Sequence, residues 1–188
     1  MKRVSLDTIL QTERLTLRRP QETDVAFIFD ATRYPGFNDG MLWDPPESLE
    51  DCLAPYYEAI KAWEAGERYL FTMTLKAGGS PVGRVALEER DYGTSVGYWT
   101  HPAYQNYGYM TEALVEVVRF AFGSLGIPSL EARHADWNLA SRRVLEKCGF
   151  RFRKRIVQGF LKRGEWVPED VLMLSRNDWL KRLDFVRG

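Results

Sequence analysis

A glycine-containing loop that leads into an apolar helical run constrains this sequence more than any other feature. The loop consists of Gln105, Asn106, Tyr107, Gly108, Tyr109, Met110 and Thr111. N–H groups at the start of a helix have no partner within the helix, and the helix dipole favours negative charge there. Gly108 has no Cβ to obstruct an approaching phosphate. We therefore predict phosphate binding by the N–H groups of residues 105–110 and the Thr111 hydroxyl; a plain strand-to-helix turn is the alternative.

A second segment, residues 138–150, predicts another capped helix. Asn138 is a favoured residue at a helix N-cap, and Gly149 is favoured just past a helix end. Ser141 then lies in the first turn of this helix. A phosphate loop followed by a second helix able to face it indicates a chain that binds a pyrophosphate-bearing cofactor and carries out chemistry beside it.

Together with a strand-like stretch at residues 12–18, these segments resemble the GCN5-related N-acetyltransferases (GNAT) over nearly the whole chain. The loop pattern of that family is Gln/Arg-x-x-Gly-x-Gly/Ala. Gln105 and Gly108 match it, whereas Met110 stands where Gly or Ala is usual. Residues 12–18 and 138–150 also resemble the branch that acetylates the N-termini of ribosomal proteins, the RimJ/RimL-like branch.

The resemblance implies a single acetyltransferase domain over residues 1–188 with an α+β fold. Its central sheet would be twisted and mostly antiparallel, with helices on both faces and acetyl-CoA at splayed central strands. The hydrophobic patterns predict the order strand, helices, strand meander, helix, strand, helix and hairpin. Ser48 and Asp51 predict a capping box that opens a helix extending to about Ala65, and Pro55 is expected to kink or divide that helix.

Charge and cysteine content argue against several classes of function. Lys+Arg and Asp+Glu both total 26, so net charge gives no reason to expect nucleic acid or an acidic membrane as a partner. The start is polar and charged, and no apolar run is long enough to span a bilayer. The two cysteines and two histidines lack metal-ligand spacing, so no metal is expected. We expect a cytoplasmic protein that is a monomer or homodimer.

The resemblance implies acetyl transfer from acetyl-CoA, as co-substrate, to a primary amine that attacks the thioester directly. In the family, a backbone N–H on the strand before the loop stabilises the oxyanion, and the same strand end pairs with the pantetheine arm. Here that strand end contains Gly97, Tyr98, Trp99 and Thr100, which can also be an ordinary core strand. The family further implies that Asn138 contacts CoA or a bound water in addition to capping its helix.

Ser141 is the candidate acid that protonates the leaving thiolate. Many family members place a tyrosine further along this helix, but this chain has no tyrosine after Tyr109. Ser141 is therefore the one hydroxyl of the predicted helix, and the resemblance implies that it serves the thiolate. A solvated first-turn serine without a catalytic role is the alternative.

Glu88 and Glu131 are the leading candidates for the base that accepts the amine proton. Glu88 lies on a central strand where the family often places a base. Glu131 lies in a segment that resembles the base-bearing strand of a related enzyme. An N-terminal α-amine has a pKa of about 8, so a mild base or a water chain suffices, and both acids could instead be solvated or structural. The remaining candidates are Glu89, Asp136, His101 and His134.

An aromatic loop is predicted to form the acceptor pocket, with a loop that covers the sheet edge as the alternative. Its members are Tyr34, Phe37, Met41 and Trp43, and Tyr56, Tyr57 and Trp166 could also line the pocket. The sequence does not specify whether the amine belongs to a protein N-terminus or to a small molecule. A non-catalytic CoA-binding regulatory module, or transfer of another acyl group such as succinyl, are the competing functions.

Overall fold

The computed structural model describes residues 1–187, which contain one eight-stranded sheet and five α-helices. The strands are β1 (Leu10–Gln11), β2 (Leu15–Arg18), β3 (Arg68–Leu75), β4 (Pro81–Arg90), β5 (Gly93–Thr100), β6 (Ser129–Ala135), β7 (Arg151–Lys162) and β8 (Glu165–Ser175). The helices are α1 (Val25–Thr32), α2 (Leu53–Ala65), α3 (Tyr109–Gly123), α4 (Leu139–Cys148) and α5 (Arg176–Arg187). Three short 3-10 helices span Glu22–Asp24, Glu50–Cys52 and Pro102–Tyr104. Within this described range, no helix is long and apolar enough to cross a membrane.

The sheet order is β1-β2-β3-β4-β5-β6-β8-β7, and every neighbouring pair is antiparallel except β5 and β6. Short turns join β3 to β4 and β4 to β5, as the meander in the sequence predicted. The crossover from β5 to the parallel strand β6 contains α3, because a parallel connection needs a long return. The predicted mixed, mostly antiparallel fold is confirmed.

The two faces of the sheet carry different kinds of residue. Along β4, Val85 and Leu87 are fully buried in the core, while the alternate residues Arg84 and Glu88 point to the opposite face. Helices cover both faces. On the core face, Phe71 of β3 packs edge-on against aromatic rings of α2 and α3, and on the opposite face α1 stacks an aromatic ring on β5.

Helices α3 and α4 form where the sequence predicted them. Five apolar residues at helical spacing on α3 are buried, namely Ala113, Leu114, Val117, Val118 and Ala121. Asn138 caps α4 by accepting a hydrogen bond from the Ser141 N–H at 3.1 Å, and Gly149 ends it with a φ of 99°.

The capping box before α2 is confirmed, but the break at Pro55 is not. The Ser48 N–H donates to the Asp51 carboxylate at 2.9 Å, and the Asp51 N–H donates to the Ser48 hydroxyl at 3.3 Å. The chain then forms a 3-10 turn and enters α2, which runs unbroken through Pro55. Pro55 lies in the first turn of α2, where a backbone N–H has no intrahelical partner to lose, so a proline is tolerated there.

The central strands β5 and β6 separate soon after they meet. Only two residue pairs join them, Ser95 with Glu131 and Val96 with Ala132. Beyond that point β5 continues to Thr100 and remains paired with β4 alone. The edge of β5 from Gly97 to Thr100 is therefore open towards β6, as expected for splayed central strands.

Candidate active site

The loop before α3 presents unpaired backbone donors at a helix N-terminus. Gly108 caps the helix in the left-handed conformation, with a φ of 80°, and Asn106 has a φ of 67°. The first helical hydrogen bond runs from the Glu112 N–H to the Gly108 carbonyl at 3.1 Å. Among the described residues, no protein group accepts from the N–H groups of residues 106–111. These donors and the helix dipole make the loop suited to a phosphate.

Gln105 differs from the other residues of this loop. Its N–H donates to the Pro102 carbonyl at 3.3 Å, and its side-chain amide donates to the Thr100 carbonyl at 3.3 Å. The expectation that its N–H is free for phosphate is therefore wrong, because the 3-10 turn at Pro102–Tyr104 already uses that donor. Gln105 ties the end of β5 to the loop.

Arg14 lies beside the loop, and the sequence did not single it out as a site residue. Its Nη1 donates to the Tyr107 carbonyl at 3.0 Å, and its Nε donates to the Glu112 carboxylate at 2.6 Å. A Cβ built on Gly108 would lie 3.6 Å from Arg14 Nη2. Burial opposes the charged form of Glu112, but hydrogen bonds from Thr12 and Arg14 hold its pKa below the usual value. These contacts join residues almost a hundred positions apart, so no local pattern reveals them.

A tyrosine and a serine meet across the gap between β5 and α4. The Tyr98 phenol oxygen lies 3.0 Å from the Ser141 carbonyl oxygen and 3.0 Å from the Ser141 hydroxyl oxygen. With one proton on each hydroxyl, Tyr98 donates to the carbonyl and Ser141 donates to the phenol oxygen. Burial raises the pKa of the Tyr98 phenol, so it stays protonated at neutral pH. The sequence identified both residues, but not their contact.

A cavity of about 740 Å³ lies on the open face of β3, β4 and β5. The loop from Gly40 to Glu47 forms one wall, and Met41 and Trp43 from the predicted aromatic loop line it. Tyr34 and Phe37 do not line it: Tyr34 packs edge-on against His101, and Phe37 packs edge-on against the lining residue Trp99. The predicted pocket residues Tyr56, Tyr57 and Trp166 do not line the cavity. The other lining residues come from α1, α2 and its preceding turn, and the strands, namely Ile28, Asp51, Cys52, Pro55, Arg68, Leu70, Arg84, Ala86, Glu88, Arg90, Gly97, Tyr98, Trp99 and Arg133.

The two leading candidates for the base occupy different positions. Glu88 lines the cavity, and its carboxylate accepts from Arg90 Nη2 at 2.6 Å. Glu131 accepts from Arg133 Nε at 2.7 Å, and it is Arg133, not Glu131, that lines the cavity. Glu88 is therefore better placed to reach a bound amine, and both assignments stay predictions.

Three of the four ring nitrogens of the two histidines have hydrogen-bond partners within the fold, and the buried His134 Nε2 has none among the described residues. His101 Nδ1 accepts from the Ala103 N–H at 3.2 Å, so Nε2 carries the proton and donates to Asp30 at 2.8 Å. The lone pair of this tautomer, on Nδ1, is engaged by the Ala103 N–H and is not free to accept a proton from an amine. His134 Nδ1 lies 2.7 Å from the Ala135 carbonyl, which fixes the proton on that nitrogen. Neither histidine lines the cavity.

Comparison with known proteins agrees with this geometry. A family model described as an acetyltransferase (GNAT) domain matches residues 14–151. YoaA of Bacillus subtilis (strain 168), described as an uncharacterized N-acetyltransferase, is 28% identical over 148 residues. That match covers 76% of this chain and 82% of YoaA.

Solved structures share the fold at low sequence identity. RimL, described as a ribosomal L7/L12 alpha-N-protein acetyltransferase in complex with coenzyme A, has a TM-score of 0.81 at 16% identity, covering 89% of this chain and 98% of RimL. Spermidine N-acetyltransferase from Vibrio cholerae, in complex with CoA and spermine, has a TM-score of 0.76 at 20% identity, covering 88% of this chain and 98% of that one.

Proposed function

The chain belongs to the GNAT acetyltransferase family, and we propose that it transfers an acetyl group from acetyl-CoA to a primary amine. The observation that carries this proposal is the row of unpaired N–H groups at residues 106–111, which lies just after the open edge of β5. An anion-binding loop next to an unpaired strand edge suits a ligand with a pyrophosphate at one end and an amide-containing arm at the other. Residues 1–188 are proposed to form one acetyltransferase domain, and the protein is proposed to act in the cytoplasm.

The residues present fit CoA in both parts. We assign the pyrophosphate to the N–H groups of residues 106–111 and to the Thr111 hydroxyl, with Arg14 Nη2 alongside as a further donor. Gly108 leaves room at the loop, since any Cβ there would fill the approach and strain the backbone. We assign the amide-containing arm to the strand edge at Tyr98, Trp99 and Thr100, with Gln105 fixing the loop at the end of that strand. Asn138, the N-cap of α4, is assigned the contact to CoA or a bound water that the family resemblance implies.

Acetyl-CoA supplies the acetyl group as a thioester. The amine nitrogen forms a bond to the acetyl carbon, and the carbon–sulfur bond breaks. One proton leaves the nitrogen, and a second proton is delivered to the departing thiolate. Ser141 and Tyr98 are placed to deliver the second proton, because their hydroxyls are hydrogen-bonded to each other beside the open edge. The raised pKa of Tyr98 keeps that proton available at neutral pH. For this transfer Ser141 gives its proton to the thiolate, the Tyr98 O–H turns from the Ser141 carbonyl to re-protonate the Ser141 oxygen, and water returns a proton to Tyr98, so the two hydroxyls act as one relay.

Glu88 is the base that the cavity geometry favours, acting directly or through a water. It lines the same cavity as Trp99, and its carboxylate accepts a hydrogen bond from Arg90 Nη2. Glu131 belongs to the adjacent ion pair with Arg133 and is the alternative base. A base of either kind needs to act only on an amine that is charged at the working pH.

The acceptor is proposed at the level of a primary amine, on a protein N-terminus or a small molecule. The fold is shared by RimL, which acts on a ribosomal protein N-terminus, and by an enzyme named for spermidine, so the fold alone supports either class. The RimJ/RimL-like segments of the sequence favour a protein N-terminus or another α-amine.

A screen of thiol release tests the proposal. Purified protein is incubated with acetyl-CoA and a panel of amines that contains N-terminal peptides, amino acids, polyamines and aminoglycosides, and free CoA thiol is measured against time. At least one amine class should release thiol above the amine-free rate. CoA binding without thiol release for any amine would instead indicate a non-catalytic CoA-binding module.

A further inference from the structure

A buried lysine on the last hairpin holds one wall of the cavity, the loop from Gly40 to Glu47, which we call the wall loop. Lys162 is the final residue of β7, and its side chain is 8% exposed. Its Nζ donates to the Trp43 carbonyl at 2.8 Å and to the Asp44 carboxylate at 2.9 Å. A lysine is rarely buried unless it is paired, and both of these partners belong to the wall loop. Lys162 does not line the cavity itself, so its effect on a bound acceptor must pass through that loop.

The wall loop has no regular structure that would fix its position. It lies outside every helix and strand, and among the described residues no backbone–backbone hydrogen bond involves residues 42–46. Side-chain cations bind two of its carbonyl groups instead: Lys162 binds that of Trp43, and Arg33 binds that of Pro46. A segment with few backbone hydrogen bonds belongs to the least stable part of a fold. The position of the wall loop therefore depends on these side-chain contacts.

Lys162 also joins two parts of the molecule that the sheet connects only weakly. It belongs to the group β6, β8 and β7, which meets the rest of the sheet through two residue pairs, whereas the wall loop lines the cavity on β3, β4 and β5. Two contacts support it near the start of the loop. Arg163 lies 3.3 Å from Asp39, and a Cβ built on Gly40 would lie 3.3 Å from the Trp137 ring. The first is an exposed ion pair and contributes little, so Lys162 is the buried polar contact across this boundary.

The wall loop brings mainly apolar side chains to the cavity. Met41, Leu42, Trp43, Pro45 and Pro46 all line it. Leu42 is 65% exposed and Trp43 is 38% exposed, so both retain apolar surface that the fold does not bury. Exposed apolar side chains that line a cavity of ligand size are typical of a binding surface.

Trp43 is linked through one ring to the open edge of β5. The Phe37 ring packs edge-on against Trp43, with centroids 6.4 Å apart, and edge-on against Trp99, with centroids 5.4 Å apart. Trp99 lies on the part of β5 that has no pairing with β6, where the thioester arm is assigned. A change in the position of Trp43 therefore alters the cavity next to the reacting centre.

We propose that Lys162 is a positioning residue for the acceptor, because it holds Leu42 and Trp43 where they contact an apolar side chain next to the acceptor amine. This inference rests on the proposed acetyl transfer and deepens it by naming an amine with an apolar neighbouring side chain as the acceptor class. Lys162 acts through its two hydrogen bonds to the wall loop and takes no part in proton transfer. Its loss weakens acceptor binding and leaves the cofactor loop at residues 106–111 unchanged.

Two amines of similar shape test the acceptor class. L-leucinamide and L-asparaginamide share an α-amine and a side chain that branches at the same carbon, but only the first side chain is apolar. With the parent protein and acetyl-CoA, kcat/KM from thiol release should be about 10-fold higher for leucinamide, as expected when roughly half of a leucine side chain is buried. Trp43→Ala should bring this ratio close to one. Equal values for the two amines in the parent would overturn the inference and leave the proposed function intact.

The KM values test the role of Lys162. Lys162→Met removes the ammonium and should raise the KM for leucinamide by about 10-fold, with the KM for acetyl-CoA unchanged. Lys162→Arg keeps a charged donor and should restore most of the parental KM. Lys61→Met removes an exposed lysine that pairs with Glu58 at 3.0 Å, and this control should change neither KM. A lower Tm with parental KM values, or an equal rise in both KM values, would make Lys162 a structural residue only.

A milder variant covers the case in which Lys162→Met does not fold. The Asp44 side chain is 87% exposed, so Asp44→Asn removes the ion pair without disturbing the core. The hydrogen bond to the Trp43 carbonyl remains, so the KM for leucinamide should rise by about 3-fold, again with the KM for acetyl-CoA unchanged. A parental KM for leucinamide in this variant would contradict the contribution of the ion pair to positioning.

Fluorescence reports the position of Trp43 without any acceptor. The chain has six tryptophans, so the signal of Trp43 is the difference between each protein and its own Trp43→Phe counterpart. Acrylamide should quench this difference signal more strongly in Lys162→Met than in the parent, because the released wall loop exposes the ring. The Lys61→Met control should match the parent. Equal quenching in Lys162→Met and the parent would overturn the positioning role.

Binding without turnover keeps this inference separate from the proposed function. N-acetyl-L-leucinamide and N-acetyl-L-asparaginamide are titrated into the CoA-bound protein by calorimetry. The parent should bind the leucine compound about 10-fold more tightly, and Lys162→Met should lose most of this difference. That pattern supports the inference even if no amine releases thiol, in which case the proposed function alone fails. Equal affinity of the parent for the two compounds, or no binding of either, would overturn the inference.

Discussion

The loop at Gly108 and the cavity above β4 offer their ligands different parts of the chain. The loop presents backbone N–H groups at a helix terminus, and the side chains of Asn106 and Tyr107 are exposed. The cavity presents side chains of a sheet face, among them the buried Arg84 and the half-buried Glu88. The positions of the backbone N–H groups are set by the conformation of the chain, whereas the charge and shape of the cavity are set by which side chains line it.

This difference explains how relatives can share one cofactor and differ in acceptor. A substitution at an exposed loop position leaves an N–H in place unless it changes the conformation that Gly108 requires. A substitution at Arg84 or Glu88 alters charge and shape in the cavity without altering the strand pairing, because alternate residues hold the core. We therefore expect the loop to determine which cofactor binds and the cavity to determine which acceptor binds.

Gly108→Val tests the backbone half of this comparison and should have the largest effect. A β-branched residue at a φ of 80° is strained, and its side chain would fill the approach to the N–H groups. We expect CoA to lose its stabilising effect on Tm, which in the parent follows from binding to the folded state alone. Gly79→Val is the matched control, since Gly79 has a φ of 72° in open space far from the loop in sequence. A variant that binds CoA like the parent would refute the assignment of the loop.

Asp24→Asn tests whether the floor of the cavity depends on buried side-chain charge. Burial works against the charged form of Asp24, but hydrogen bonds from Arg18, Gln21 and Thr72 leave its pKa below the usual value. Loss of the charge should lower the free energy of unfolding at neutral pH by about 3 kcal/mol. Because the folded-state pKa is depressed, this contribution exists above the unfolded pKa of about 3.9 and vanishes as pH falls through the folded value. Urea unfolding from neutral to acidic pH should show the two proteins converging, and a constant difference would contradict the argument.

Ser141→Ala tests the hydroxyl pair that lies between the two regions. We expect kcat to fall by about 100-fold with little change in the KM for acetyl-CoA, since protonation of the thiolate belongs to the transition state. Tyr98→Phe should also lower kcat, and the double variant should be no slower than Ser141→Ala if the two hydroxyls form one relay. Additive losses would show that the hydroxyls act independently, and an unchanged kcat under conditions where chemistry limits the rate would return Ser141 to a structural role.

Substitution of the two glutamates tests the role of the cavity and is expected to have the smallest effect on activity. Glu88→Gln keeps the volume and removes the proton acceptor, so the acidic limb of the kcat/KM pH profile should shift and the maximum should fall by about 10-fold. Glu131→Gln is the matched comparison, because its carboxylate is also held by one arginine but does not line the cavity. A shift with Glu131→Gln alone would exchange the two roles. The parental profile in both variants would mean that water or an already neutral amine suffices.

The parts of the site that the sequence predicted are those encoded by local spacing. Gly108 and Asn138 were found because a helix terminus has characteristic residues at fixed positions. Arg84 was not, since alternation with Val85 and Leu87 only places it on the face opposite the core. Its burial depends on tertiary packing, because groups distant in sequence such as Asp24 and Cys52 lie near it. Arg14 could not be predicted from the sequence for a similar reason, because its contact with the loop depends on tertiary packing.

The limited pairing between β5 and β6 has a consequence for the stability of the folded chain. Two residue pairs join a sheet half built from β1 to β5 to another built from β6, β8 and β7. A ligand that pairs with the open edge of β5 occupies the place of a missing strand, so it acts as part of the architecture as well as a reactant. We therefore expect bound ligand to hold the two halves together more firmly, so that the folded chain unfolds more slowly as the ligand concentration rises.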